Sequence, residues 1–180
     1  MSRNDIILTA GCIVALPSMF ILALVIAFCD TPNDETIKLS ISGAVSENKM
    51  KLDAEGEPFK GGVMPNSKLF EAKNDSIVVY RAYDASKPWT KHGRWWSFER
   101  PSGNKKSYRI KNAICPTWNS IDRIVKCNIE PEADFIVGYT QSAKCDDDVI
   151  YKSQKILQVY IPNTKEDLDV INCVDLGEWK

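Results

Sequence analysis

Arg81 stands inside the apolar run VVYRAY, where a guanidinium gives up hydration and needs a partner or an anionic ligand in its place. A guanidinium forks onto phosphate or carboxylate oxygens, so an arginine in this setting is suited to hold an anion. After a loop comes Gly93-Arg94-Trp95-Trp96-Ser97, which sets two aromatic side chains next to a hydroxyl. Trp95 or Trp96 can stack on a flat ring, and Ser97 can brace a polar edge. The structural alternative is an Arg81 paired with Asp84 or Glu99, one tryptophan entering the core and the other covering an edge or a partner.

Other chemistries find little support. His92 is the only histidine, which excludes multi-histidine metal sites; it lies in PWTKHGRWW and is expected to be exposed or locally bonded. There is no G-x-S-x-G, Walker loop or G-x-G-x-x-G. Asp146, Asp147 and Asp148 follow Cys145 without the spacing of a calcium loop and read as a solvated turn. Cys115, Cys127, Cys145 and Cys173 are an even set in a small module, as in disulfide frameworks, and three pairings are open. With no C-x-x-C spacing a zinc site is the weaker explanation, and no metal is expected. Lys+Arg 23 against Asp+Glu 24 leaves a net charge of -1, so no basic field exists to hold nucleic acid.

In the Y-R of VVYRAY and the later serine beside tryptophans, the chain resembles the ADP-ribosyltransferase toxin superfamily of the arginine-serine-glutamate type. The run from GRWWS through YR, WN and GYTQSAKC to QVYI is similar to C-terminal modules of bacterial polymorphic toxins. The resemblance implies that Arg81 anchors the phosphates and ribose of NAD, that Ser97 braces the site, and that Trp95 or Trp96 stacks on nicotinamide. NAD would then be the substrate of an ADP-ribosyltransferase or NAD glycohydrolase. The chain departs from the family where a Q-x-E or E-x-E is expected. Gln141 and Glu132 are the nearest substitutes; Gln141 can hydrogen-bond a ribose but brings no carboxylate to oxocarbenium charge. Glu99 shares a strand face with Ser97 and is another carboxylate within the same segment.

The elements that must position these residues follow from periodicity. Alternation at Ile37, Leu39 and Ile41 predicts a strand, and further strands are expected at 76–83, 93–99, 123–129, 134–140 and 155–161. Residues 104–114 predict a short amphipathic helix with Tyr108, Ile110 and Ile114 inward. Residues 47–66, rich in glycine, proline and charge, read as a long loop without catalytic features, and Trp118-Asn119 reads as a packed turn.

The chain opens with an uncharged run from Ile6 to Cys29, long enough at about 1.5 Å per residue to cross a hydrocarbon core of about 30 Å. A retained transmembrane helix is the expectation, bent at Pro17, with a cleaved signal peptide as the rival. Arg3 before the run, and Asp30, Asp34 and Glu35 after it, favour a cytosolic N-terminus and a periplasmic or extracellular domain. The expected organisation is a cytosolic stub 1–5, a span 6–29, a linker 30–36 and a domain 37–180. The expected fold class is α+β: an N-terminal transmembrane helix followed by a small β-rich domain with one or two short helices. Beside the NAD-binding reading stands another class of function, a non-enzymatic envelope protein that binds a protein or envelope component through exposed aromatic residues.

Overall fold

A computed structural model of the chain describes residues 37–38 and 44–179. In chain order the elements are β1 (Ile37–Lys38), α1 (Ala44–Ala54), β2 (Lys68–Ala72), β3 (Val78–Tyr83), β4 (Trp95–Trp96), α2 (Lys105–Asn112), β5 (Arg123–Ile129), β6 (Asp134–Tyr139), β7 (Ala143–Lys144), β8 (Ile150–Tyr151), β9 (Leu157–Tyr160) and β10 (Val170–Glu178). A five-stranded sheet runs in the order β1-β2-β6-β9-β4, a three-stranded sheet in the order β10-β5-β3, and β7 and β8 form a separate hairpin.

Two-residue periodicity explains why β5 lies at the centre of its sheet. RIVKCNI buries Ile124, Val125, Cys127 and Ile129, and β3 and β10 cover its two flanks in antiparallel register. Val79, Val125 and Ile129 of the small sheet meet Phe135 and Val159 of the large one, and Ile161 just past β9, in a single apolar core. The sheets are stitched where Tyr80 of β3 and Ser97, just past β4, exchange backbone bonds: Tyr80 N–H donates to Ser97 O at 2.8 Å and Ser97 N–H to Tyr80 O at 2.9 Å.

The expected fold class is corrected. Among the described residues the domain is β-rich, with only two α-helices, and no helix is long and apolar enough to cross a membrane. A span needs about 20 apolar residues, whereas α1 has 11 and carries Lys49, Lys51 and Asp53, and α2 has 8 with four basic side chains, Lys105, Lys106, Arg109 and Lys111. The run 6–29, like Leu39 and Ile41, lies outside the described residues. The expected loop 47–66 is also corrected, since α1 occupies its first part. Strand 93–99 contracts to β4, and β2 and β10 are strands that periodicity did not announce.

Two disulfides resolve the open pairing. Cys127–Cys173 links β5 to β10, and Cys115–Cys145 links the turn after α2 to the residue following β7. Such cross-links form in an oxidising extracellular or periplasmic compartment, and the domain is of that kind.

Helix α2 begins on lysines, which oppose its dipole, so its start depends on the cap. Asn104 Oδ1 accepts from the N–H groups of Lys106 at 2.8 Å and Ser107 at 3.3 Å. Asn104→Ala is expected to cost about 1 kcal/mol, read as a lower urea midpoint with an unchanged slope. The inward face of α2 differs from expectation in one residue: Ile110 is exposed, while Asn112 is buried and Tyr108 half-buried.

On β10, Asp175 accepts from Tyr83 Oη at 2.6 Å, Gly177 N at 2.9 Å and Arg123 Nη2 at 3.1 Å. Partial burial raises its pKa, but the Tyr83 hydroxyl, the Gly177 amide and Arg123 outweigh that and hold it at about 2. Because the folded value lies below the unfolded one of about 3.9, this stabilisation is complete above that pH and is lost as the pH falls through about 2. Solvent reaches the carboxylate and screens it, so the contribution is about 1 kcal/mol. Unfolding free energies from urea titrations, followed from about pH 5 down to about pH 2, are expected to fall by about 1 kcal/mol more in the wild type than in Asp175→Asn.

Candidate functional site

A cavity of about 470 Å³ opens where β3, β4, α2 and the segment after α1 meet. Its lining includes Arg81, Trp95, Trp96 and Ser97 of the residues that the sequence marked for chemistry, and leaves out Gln141, Glu132 and Glu99. The β3 register and the Tyr80–Ser97 bridge bring them together, placing Arg81 one residue along from that bridge.

Arg81 is half-buried and lines the cavity, with protein packed around its guanidinium. Burial brings its pKa down to about 10, with the neighbouring Tyr108 acting in the opposite direction, and the group stays charged at neutral pH. Its Nε donates to Thr90 O and its Nη1 to Trp95 O, both at 2.6 Å. Neither expected carboxylate pairs with it. Asp84 accepts from Ser86 Oγ at 2.6 Å and lies 3.4 Å from Lys87 Nζ, and Glu99 is exposed. Among the described residues Arg81 is therefore a buried cation held by carbonyls alone. Gly93 makes room for it: a Cβ there would come within 2.5 Å of Arg81 Nη2.

The aromatic residues divide the work. Trp96 is 2% exposed and sits in the main core, with its Nε1–H donating to Gly93 O at 2.7 Å. Trp95 is half-buried and meets Tyr160 edge-on at 5.1 Å. An exposed surface built on these two tryptophans is thus not what the fold presents. Trp118, read as a packed turn, is 46% exposed, lines the cavity and lies over Gly61, where a Cβ would come within 3.1 Å of its ring. Tyr108 projects from α2 into the lining; burial, only partly countered by Arg81, pushes its pKa up to about 12, so its hydroxyl stays protonated.

Ser97 is buried, and its Oγ accepts from Glu99 N–H at 3.1 Å. Gln141 is buried but does not line the cavity. It supports the wall from behind: its Nε2 donates to Gly56 O at 3.2 Å and its backbone N–H to Gly62 O at 2.8 Å, and both glycines line the site. Gly56 is required there, because a Cβ would come within 1.6 Å of Gly61 O. Glu132 and Glu99 are not in the lining either.

Among the described residues the carboxylates at the cavity are Asp53 and Glu55, which the sequence reading passed over within its expected loop. Glu55 Oε1 accepts from the buried Ser67 Oγ at 2.7 Å, which orients the carboxylate. Lys60, Asn112, Asn119 and Gln158 add donors and acceptors around the same space. An anion anchor, aromatic faces, amides and two carboxylates in one concavity are the features of a small-molecule site.

His92 is half-buried against the Cys127–Cys173 disulfide, away from the cavity lining. No family model matches the chain, and no curated protein or solved structure matches it.

Proposed function

We propose that this exported domain binds a nicotinamide dinucleotide, or a closely related anionic nucleotide, in the cavity beside β3. Arg81 is the anion anchor in this reading, Trp95 the principal stacking face and Ser97 a bracing hydroxyl. The observation that carries it is the charge state of the site. A buried guanidinium with no carboxylate partner among the described residues faces a cavity of about 470 Å³, and the same cavity is walled by tryptophans. A buried cation of this kind gains from an incoming anion what it lacks from the protein. Ligand pockets commonly measure about 300–1,000 Å³, so the space suits such a molecule. Glu55, oriented by Ser67, is the carboxylate that cleavage of the nicotinamide–ribose bond would call on.

Calorimetric titration with NAD and with nicotinamide riboside tests the reading, because the riboside keeps the ring and lacks the phosphates. NAD is expected to bind, and the riboside to bind at least about tenfold more weakly. Equal affinities would remove Arg81 from the role of anchor, and no heat with NAD would remove the reading. A second reading, capture of a protein or envelope component, is favoured by the 68% exposure of Trp89 and the 46% exposure of Trp118. It predicts partner capture that Trp89→Ala weakens.

A further inference from the structure

His92 Nε2 is the one buried side-chain nitrogen or oxygen without a hydrogen-bond partner among the described residues. An orphaned polar atom of this kind costs free energy and calls for an explanation. One imidazole nitrogen of His92 and the Sγ atoms of Cys127 and Cys173 all lie within 4.8 Å of one another. In the oxidised protein the two sulfurs are bonded to each other, and the group is closed to a metal ion. Once reduced, the same three side chains supply one imidazole and two thiolates, a set that zinc and similar ions favour.

The surrounding strands allow that change. Cys127 is fixed in the buried centre of β5, but Cys173 lies on β10 where the register skips between Ile171 and Val174. A strand interrupted in this way has slack that a regularly paired strand lacks. Both Cys173 and His92 are half-buried, so the group lies at the edge of the core and solvent is close by.

We propose that His92, Cys127 and Cys173 form a redox-gated site for a thiolate-preferring divalent cation such as zinc. A dithiol reductant opens it: the S–S bond breaks, two hydrogens pass to the cysteine sulfurs, and the dithiol leaves as its own cyclic disulfide. The cation then displaces both thiol protons to solvent and takes the imidazole lone pair, leaving one coordination position for water. The β5–β10 pair is cross-linked in both states, by sulfur in one and by metal in the other.

Cobalt(II) is the probe. The full chain is reduced with dithiothreitol, freed of it under anaerobic conditions and titrated with cobalt. One equivalent is expected to bind with a thiolate-to-cobalt charge-transfer band and tetrahedral d–d absorption, and the oxidised chain is expected to show neither. Cys127→Ser/Cys173→Ser should abolish the signal, and His92→Ala should weaken binding at least about tenfold while leaving the thiolate band. His92→Gln serves the same purpose if the alanine variant does not fold. A band that survives in Cys127→Ser/Cys173→Ser would assign it to other cysteines and overturn the proposal. So would unchanged affinity in the histidine variants, or a reduced chain that loses its near-ultraviolet circular dichroism and does not recover it with cobalt.

Discussion

Arg81→Met is expected to weaken NAD binding by about 100-fold or more while the domain stays folded. Two charge-assisted hydrogen bonds to a phosphate in a water-poor site are worth about 3 kcal/mol together, and that converts to about two orders of magnitude in the dissociation constant. The variant also strips donors from Thr90 O and Trp95 O, which destabilises the loop before β4. Against that loss stands the removal of a buried, unpaired charge, so the net change in stability is small, within about 1–2 kcal/mol. Arg81→Lys separates charge from shape, because a lysine keeps the cation but cannot fork; about tenfold of the affinity should be lost. Gly93→Ala approaches the same point from outside the side chain. Its methyl group would sit where the guanidinium now lies and should displace it from the Thr90 and Trp95 carbonyls, weakening NAD binding with Arg81 still present. Calorimetry on the three variants, with circular dichroism as the control for folding, reads all of these effects. Affinity unchanged in Arg81→Met would leave Arg81 as a loop clamp only.

The second large effect concerns Cys115–Cys145. This bridge spans 30 residues, and in the chain-entropy account its removal costs about 3–4 kcal/mol. For a domain of this size that corresponds to a melting temperature lower by about 10 °C. Its position adds a local consequence. Cys115 follows Ala113 and Ile114 in one cavity wall and precedes Trp118 and Asn119, while Cys145 follows β7, which bridges to Lys60 of the opposite wall. Phe59 O accepts from Lys144 N–H at 2.9 Å, and Gly61 N–H donates to Ser142 O at 2.9 Å, so the bridge ties both walls together. Cys115→Ser/Cys145→Ser is therefore expected to lose both thermal stability and ligand affinity. Removing Cys127–Cys173, which lies away from the cavity, should lower stability without a matching loss of affinity. Melting curves and titrations on the two double variants separate the two outcomes.

The difference between what the sequence announced and what the fold contains follows from where local pattern and tertiary context agree. In β5 they coincide: from Val125 on, RIVKCNI alternates and buries Val125, Cys127 and Ile129, Ile124 is buried beside them, and the strand has the expected bounds. Arg81 was legible for the same reason, as a charge that interrupts an apolar run. Strand β10 was not, because Asn172 at φ 52° and Gly177 at φ 90° break its alternation, and its pairing with β5 skips twice. Helix α1 hid behind composition. AVSENKMKLDA has no apolar stripe, and glycines and a proline follow closely, so its residues resembled those of the loop that comes after. Asp53 and Glu55 were missed with it. The one available signal was the absence of glycine and proline between Ala44 and Glu55. Gln141 illustrates a different gap: its residue type fits sugar recognition, but its side chain is taken up by Gly56 and Ser142, and only long-range contacts reveal that. The cysteine pairing could not be read from spacing, since all three connectivities satisfy it.

The most direct measurement is a crystal structure of the domain soaked with NAD. Phosphate oxygens are expected within about 3 Å of the Arg81 guanidinium, with the nicotinamide or adenine ring against Trp95. A ligand bound elsewhere on the domain, or a cavity still empty when the soak is saturating, would contradict that placement.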